Sequence, residues 1–368
     1  MDGSGARQAR NLVFISDGTL SSDEPGARSN AGILAGLLGE LGPTARQCVL
    51  YDRGVQGRGI ERWVNAATGL GLDYSIRDGY AFLASRYRPG DRIFLLGYSR
   101  GAYAVRLLAG MIGDIGLLRA EDATERHVTH AFRGFLCNER VGGRAGRRRF
   151  REAHCHTHVP IEMLGAWDTV RALGLPLPGF SWLAPLAARF RNDALPHHVR
   201  HGYQALALDE DRLAFRPRLW KGSTAWQGRL EQAWFPGSHG DVGGEVRHWP
   251  AARPLANIPL NWMLRRAERH GLALPDGWED RFVEDAAAES SSDRSLLGRA
   301  FVLRRPRRTG RGDGEALHMS VRERIAAMPA YAARHGAGRP EITVPPHPIL
   351  RADGIAAPDP QTGSFGAA

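Results

Sequence analysis

A serine flanked by glycines is the first feature of this sequence that could do chemistry. Ser99 lies between Gly97 and Gly101, after an apolar run at residues 93–96 and before apolar side chains that recur at helical spacing. A strand, a sharp turn and a helix in this order are typical of a nucleophile elbow, because glycines let the two backbones approach closely. We therefore expect the Ser99 hydroxyl at the carboxyl end of a strand. The alternative is an ordinary glycine-flanked serine in a βα turn.

A serine hydroxyl needs a base to become a nucleophile, and the base needs a carboxylate that fixes its tautomer. Asp168 follows the predicted strand at 160–166, and His239 follows the one at 230–235. In an open α/β sheet the carboxyl ends of the strands share one crevice, so these two residues can converge on Ser99. The chain order serine, acid, histidine is that of an α/β-hydrolase sheet. The chemistry predicted is nucleophilic hydrolysis of an ester, with no metal and no cofactor.

The base and the acid each have alternatives. His318 and His248 compete with His239 for the role of base, and Asp241 is either the acid or a residue that orients the loop. Asp168 could instead cap the helix that follows it. The glycines around His239 favour it as the base, because they suit an exposed, tightly turned loop.

The loop after the first predicted strand is expected to complete the site. The tetrahedral oxyanion needs N–H donors, for which the backbone of Arg100 and that of Gly18 or Thr19 are the candidates. This loop also resembles the D-x-D-G-T pattern of phosphatases that use the first aspartate as nucleophile. Here that first position is Ile15, which excludes the phosphatase mechanism, and Asp17 is expected to cap or brace the turn.

Alternating strands and helices predict an α/β fold with a mainly parallel sheet, helices on both faces and insertions. Strands are predicted at 11–16, 47–51, 93–96, 160–166 and 230–235, and helices at 31–41, 73–86, 121–133, 258–269 and 321–328. Residues 141–149 are expected to form a loop or short insertion. We expect a loose N-terminus at 1–10, one catalytic domain at 11–335 and a Gly/Pro/Ala-rich extension at 336–368.

The chain of 368 residues carries a formal charge of +10, and Lys221 is its only lysine. Arginine clusters at 144–151 and 304–311 are either basic patches or, the favoured interpretation, solvated loops. An anionic membrane surface would suit such patches. No nucleic-acid-binding module accompanies them, so no nucleic-acid partner is expected.

Cysteine and histidine usage argues against disulfides and metals. The odd set Cys48, Cys137 and Cys155 indicates a reducing compartment. The histidines at 154, 156 and 158 would share one face of a strand, but no further ligand falls at familiar spacing, so no metal site is predicted. We expect a cytoplasmic protein, because neither a signal-peptide h-region nor an apolar run of membrane-spanning length is found.

Several blocks together resemble the α/β-hydrolase-like domain of unknown function that includes type VI secretion lipase effectors. The blocks, within residues 11–330, lie at 14–19, 51–57, 67–73, 97–103 (GYSRGAY), 165–170 (GAWDTV), 205–210 and 234–244 (WFPGSHGDVGG). The resemblance implies an esterase or phospholipase with its triad at Ser99, Asp168 and His239, lipid substrates and export by a leaderless type VI route. A non-catalytic binding or toxin-associated scaffold is the alternative.

The resemblance has departures. Gly244 is followed by Glu245-Val-Arg where a further glycine and an aromatic residue are expected, and no extra membrane-docking domain is evident. The aromatic-rich stretch at 175–190 is either a lid over an acyl pocket or, the favoured interpretation, an ordinary packed helix.

Overall fold

Seven parallel strands form the centre of the molecule. The computed structural model describes residues 8–18, 27–42, 46–54, 70–136, 143–170, 194–221, 226, 228–246, 249–291 and 303–331. Its strands are β1 (Asn11–Ser16), β2 (Gln47–Asp52), β3 (Arg92–Tyr98), β4 (Ile161–Trp167), β5 (Val199–Ala207), β6 (Arg229–Phe235) and β7 (Glu315–Leu317). They pair in the order β2-β1-β3-β4-β5-β6-β7, and every pairing is parallel. The predicted α/β-hydrolase-like fold is confirmed.

Helices cover both faces of this sheet. They are α1 (Asn30–Glu40), α2 (Leu70–Arg86), α3 (Arg100–Ile115), α4 (Glu125–Leu136), α5 (Gly143–His154), α6 (His239–Gly243), α7 (Arg253–Arg269) and α8 (Met319–Ala327). Along β1, Leu12 and Phe14 pack with α2 and α3, while Val13 and Ile15 pack with α1 and α7. Alternate residues of a strand point to opposite faces, which is why a continuous apolar run fits this doubly covered sheet.

Two local predictions were wrong. Residues 141–149 were expected to form a loop or short insertion, but a helix, α5, begins at Gly143. Arginine and alanine favour helix, and Arg148 pairs with Glu152 one turn later at 2.7 Å. His154 ends this helix, so the three histidines do not alternate along a strand. Most of the N-terminal stretch 1–10 lies outside the described residues, and at its end the N–H of Arg10 donates to Asp91 at 3.0 Å.

Other predictions fall outside the described residues. These are the ones on Thr19, Cys137, His248, the stretch at 175–190 and the extension at 336–368.

Candidate active site

Ser99 occupies the turn between β3 and α3 in a backbone conformation that residues other than glycine rarely adopt. Its φ is 58° and its ψ is −117°. A Cβ added to Gly97 would lie 2.6 Å from the backbone of Gly101, and one added to Gly101 would lie 2.0 Å from the carbonyl oxygen of Ser16. Glycine is therefore required at both positions, because the backbones of β1, β3 and α3 touch there. The strained turn directs the serine away from the sheet.

The structure brings Ser99, His239 and Asp168 into one hydrogen-bonded chain. Ser99 Oγ lies 2.9 Å from His239 Nε2, and His239 Nδ1 lies 2.6 Å from Asp168 Oδ2. All three residues are buried, and Asp168 is 0% exposed. The imidazole tautomer that donates from Nδ1 to Asp168 leaves Nε2 as the acceptor for the serine proton. This arrangement can activate a hydroxyl for attack on an acyl carbon.

Arg307 holds the Asp168 carboxylate from the other side. Its two terminal nitrogens donate to Oδ1 and Oδ2 of Asp168 at 2.6 and 2.8 Å, and the N–H of Ala207 donates to Oδ1 at 3.0 Å. Burial alone would raise the pKa of Asp168, but the charge and hydrogen bonds of Arg307 and the hydrogen bond of His239 outweigh it and lower this pKa. The acid therefore stays ionised although it is buried.

The role of Arg307 was not anticipated from the sequence. It belongs to the cluster 304–311, for which solvated arginines were favoured, yet it is buried between β5 and the Asp168 turn. A buried carboxylate requires a hydrogen-bond donor or a cation, and this requirement was the signal that Asp168 needs a partner. It does not single out a partner that lies 139 residues later in the chain.

The loop that carries His239 is fixed by Asp241. One carboxylate oxygen of Asp241 accepts from the N–H of Ser238 at 2.8 Å and from the hydroxyl of Ser290 at 2.6 Å, and the other accepts from the N–H of Ser291 at 2.8 Å. The bond from the Ser238 N–H is part of a capping box at the start of α6, and the bonds from Ser290 and Ser291 tie this helix start to a later segment of the chain. Of the two alternatives for Asp241, the geometry favours the one in which it orients the loop.

Further contacts fix the backbone and ring of His239. Its N–H donates to Glu210 Oε2 at 3.2 Å, and Glu210 pairs with Arg212 at 2.5 Å. The rings of Tyr98 and Phe215 each lie with their centroids 4.9 Å from the imidazole. Glu210 ends one of the blocks in the sequence, although no role was predicted for it.

His318 is in a different environment from His239. Its ring accepts from the N–H of Ser320 as the N-cap of α8 and stacks on Phe235 at 4.5 Å. Burial, with smaller contributions from Arg266 and Arg265, lowers the pKa of His318 to about 3. Its hydrogen-bonding partner is thus a helix end, and the structure does not bring it into the Ser99 chain.

The two expected oxyanion donors differ in what they contact. Arg100 is the first residue of α3, so its N–H lies at a helix N-terminus directly after Ser99. Gly18 also lies beside Ser99, but its N–H donates to Asp17 Oδ1 at 2.6 Å. Asp17 Oδ2 accepts from Tyr51 at 2.7 Å, so this aspartate braces the turn. Gly18 would have to turn its N–H away from Asp17 before it could serve an oxyanion.

Two groups among the described residues could hold a metal ion through three side chains each. They are Asp122 with His127 and His154, and Glu162 with His201 and His270. In the first group His154 Nδ1 lies 2.8 Å from Asp122 Oδ1, a distance that an ordinary hydrogen bond also explains. Neither group includes a member of the Ser99 chain.

Comparison with known proteins identifies the family. Residues 10–266 match the catalytic domain of the T6SS phospholipase effector Tle1-like family. The chain belongs to this family. Membership in the Tle1-like family supports a lipase- or phospholipase-type function, and the matched range contains Ser99, Asp168 and His239 but not Arg307. No helix in the described part is both long enough and apolar enough to cross a membrane.

Two further proteins are similar to this member of the Tle1-like family. An uncharacterized protein of Saccharomyces cerevisiae is 29% identical over 230 residues, which cover 56% of this chain and 32% of that protein. The chain thus spans about a third of the length of this curated relative. The crystal structure of an uncharacterized protein from Pseudomonas aeruginosa aligns with a TM-score of 0.44 and 17% identity, covering 77% of this chain and 50% of that one.

Proposed function

We propose that this protein is a serine hydrolase that cleaves the carboxylic esters of lipids or phospholipids through an acyl-enzyme on Ser99. The observation that carries the proposal is the hydrogen-bonded chain from Ser99 Oγ through His239 to Asp168, at 2.9 and 2.6 Å, on a strained elbow. Membership in a phospholipase effector family supports a lipid as the source of the ester.

In the proposed reaction His239 Nε2 takes the Ser99 proton while Oγ attacks the acyl carbon. The carbonyl oxygen becomes an oxyanion, which the Arg100 N–H stabilises together with a donor from the loop at Gly18 and Thr19. The oxyanion collapses, the bond to the alcohol breaks and His239 returns the proton to the leaving oxygen. Water, deprotonated by the same imidazole, then attacks the acyl carbon of the acyl-enzyme. The bond to Ser99 Oγ breaks, His239 returns the proton to Oγ, and the carboxylic acid is released.

Asp168 and Arg307 act together in this mechanism. Asp168 accepts from Nδ1 and stabilises the imidazolium that forms during each proton transfer. Arg307 keeps this carboxylate ionised and fixed in orientation through a bidentate contact at 2.6 and 2.8 Å. Arg307 is therefore proposed as a positioning residue, because its contact with the reaction runs through Asp168.

A fluorophosphonate probe tests the nucleophile. The folded protein should become labelled at Ser99, and Ser99→Ala should abolish the labelling because the attacking oxygen is removed. Ser85→Ala is the matched control, since Ser85 is an exposed helical serine with its hydroxyl on the Phe82 carbonyl. Folded protein that does not label would contradict the proposal and favour a non-catalytic scaffold.

Vesicles test the substrate class. Fatty-acid release from phospholipid vesicles, abolished by Ser99→Ala, is expected for a lipolytic enzyme. Turnover of soluble p-nitrophenyl esters alone would contradict a role at an anionic membrane surface. The family also leads us to propose export from the cytoplasm by a type VI route.

A further inference from the structure

A small cavity beside the triad is lined almost entirely by arginine and apolar side chains. Its volume is about 120 Å³, and no acidic residue lines it. The arginines around it are Arg212, Arg216, Arg305, Arg307, Arg308 and Arg311. So many like charges around one cavity repel one another, and that repulsion falls when an anion enters.

Only part of this positive charge is balanced by the protein. Arg307 pairs with Asp168, and Arg212 pairs with Glu210. The other four arginines are exposed, and their guanidinium groups make no ion pair with any residue that the structure describes: Arg216, Arg305, Arg308 and Arg311. The cavity is therefore left with a local excess of cationic hydrogen-bond donors.

One donor in the cavity wall is buried without an acceptor. The Arg307 side chain is 3% exposed, and its Nε–H has no hydrogen-bond partner among the described residues. A buried polar group without a partner is destabilising, because it has lost its hydrogen bonds to water and gained none in the protein. An oxyanion in the cavity could supply this acceptor and accept from the exposed arginines at the same time.

The size and chemistry of the cavity fit a phosphate group. A protein cavity of about 150 Å³ holds benzene, which has one more heavy atom than phosphate. Arginine forks match the oxygens of phosphate in bidentate geometry. The volume of about 120 Å³ thus suits a phosphate group, which the arginine lining would also bind well.

The cavity also shares its wall with the triad. The Arg212 guanidinium lies 4.0 Å above the Phe215 ring, and that ring lies 4.9 Å from the imidazole of His239. Pro217, another lining residue, forms a β-bridge with Val170, two residues after Asp168. A ligand here would lie one side-chain layer from the residues that act on Ser99.

We propose that this arginine pocket binds a phosphate group, supplied either by a phospholipid headgroup or by free phosphate. Its use in positioning a phospholipid rests on the proposed hydrolase function, whereas binding of phosphate does not. The two are therefore tested separately.

Direct binding is measured by titrating inorganic phosphate calorimetrically into the Ser99→Ala protein, so that turnover does not interfere. Adding Arg305→Gln and Arg308→Gln should weaken binding by about tenfold or more, because two charge-assisted contacts are lost. The control adds Arg126→Gln and Arg149→Gln, which remove two exposed arginines from α4 and α5, outside the pocket. It should bind as the parent does. Equal affinity in all three proteins, or equal weakening in both double variants, would overturn the proposal.

The source of the phosphate is identified with vesicles of phosphatidylglycerol in phosphatidylcholine. If the headgroup is the ligand, the pocket variant should bind these vesicles about tenfold more weakly than the control variant, and millimolar phosphate should compete. If free phosphate is the ligand, the two double variants should bind vesicles equally, and only the variant with Arg305→Gln and Arg308→Gln should lose affinity for phosphate. Phosphate binding in a protein that turns over no p-nitrophenyl ester would leave the pocket standing and refute the hydrolase function.

Discussion

Two buried histidines at neighbouring strand ends have opposite surroundings. His239 follows β6 and His318 follows β7, the strand paired with β6, and the two residues are 4% and 3% exposed. Nδ1 of His239 lies 2.6 Å from the carboxylate of Asp168. Nδ1 of His318 lies 2.9 Å from the hydroxyl of Ser320. The two histidines thus have similar positions in the sheet and similar burial, but different hydrogen-bonding partners.

The difference shows what a histidine needs in order to act as a base. Burial lowers the pKa of His318 to about 3, and the positive charges of Arg266 and Arg265 act in the same direction. Burial and these two arginines all oppose a proton on that ring. At His239 an ionised carboxylate faces the ring, so the imidazolium formed in a reaction would be stabilised.

Exchanging each histidine for alanine gives the largest contrast. We expect His239→Ala to lower kcat by about 10⁴–10⁶-fold, since the proton acceptor is removed. His318→Ala should keep kcat within a few-fold and lower the free energy of unfolding by about 1–3 kcal/mol, through loss of a helix cap and of packing on Phe235. Ester turnover and urea unfolding of both variants check this. Loss of turnover in His318→Ala alone would reverse the assignment.

Asp168→Asn tests the partner that distinguishes the two sites. Turnover should fall by about 10⁴-fold, because the amide no longer selects the tautomer or stabilises the imidazolium. The free energy of unfolding should also fall by about 3–5 kcal/mol, because the Arg307 cation is left buried without its counter-ion. Asp211→Asn is the control: it breaks the exposed pair with Arg304, which contributes about 1 kcal/mol or less. Equal effects of the two changes would contradict the ionic role of Asp168.

Arg307→Met removes the cation but keeps the acid. The pKa of Asp168 should rise, since Arg307 is the main influence that lowers it, so the acidic limb of kcat/KM should move to higher pH. At neutral pH the loss of turnover should be about a hundredfold at most, because the carboxylate can still ionise. A pH–rate profile measures both effects, and Arg307→Lys should restore part of the shift. A variant that loses stability but keeps the parent profile would make Arg307 purely structural.

Local pattern explains what the sequence could predict. β1, β3 and β4 contain apolar runs, and β6 ends in Ala-Trp-Phe. Each is followed by a glycine or a polar turn, so both these strands and the residues after them could be identified. The polar start of β5, Val-Arg-His, and the three-residue length of β7 hide those strands. Arg307 could not be assigned, because its partner is set by the tertiary fold and many other arginines have the same local sequence character.

The last contrast concerns stability and leaves turnover aside: we expect a pH dependence of stability at His318. Its pKa is about 3 in the folded protein against 6.5 without the fold, so between these values the unfolded chain binds the extra proton. The free energy of unfolding should therefore fall as pH falls from 6.5 towards 3, by up to about 1.4 kcal/mol per pH unit from this one group. His318→Asn should remove that part of the slope while keeping a side chain that can cap α8. Ser320→Ala, which keeps the imidazole, should retain the slope. Urea unfolding at several pH values measures it, and an unchanged slope in His318→Asn would show that His318 does not resist protonation as its surroundings require.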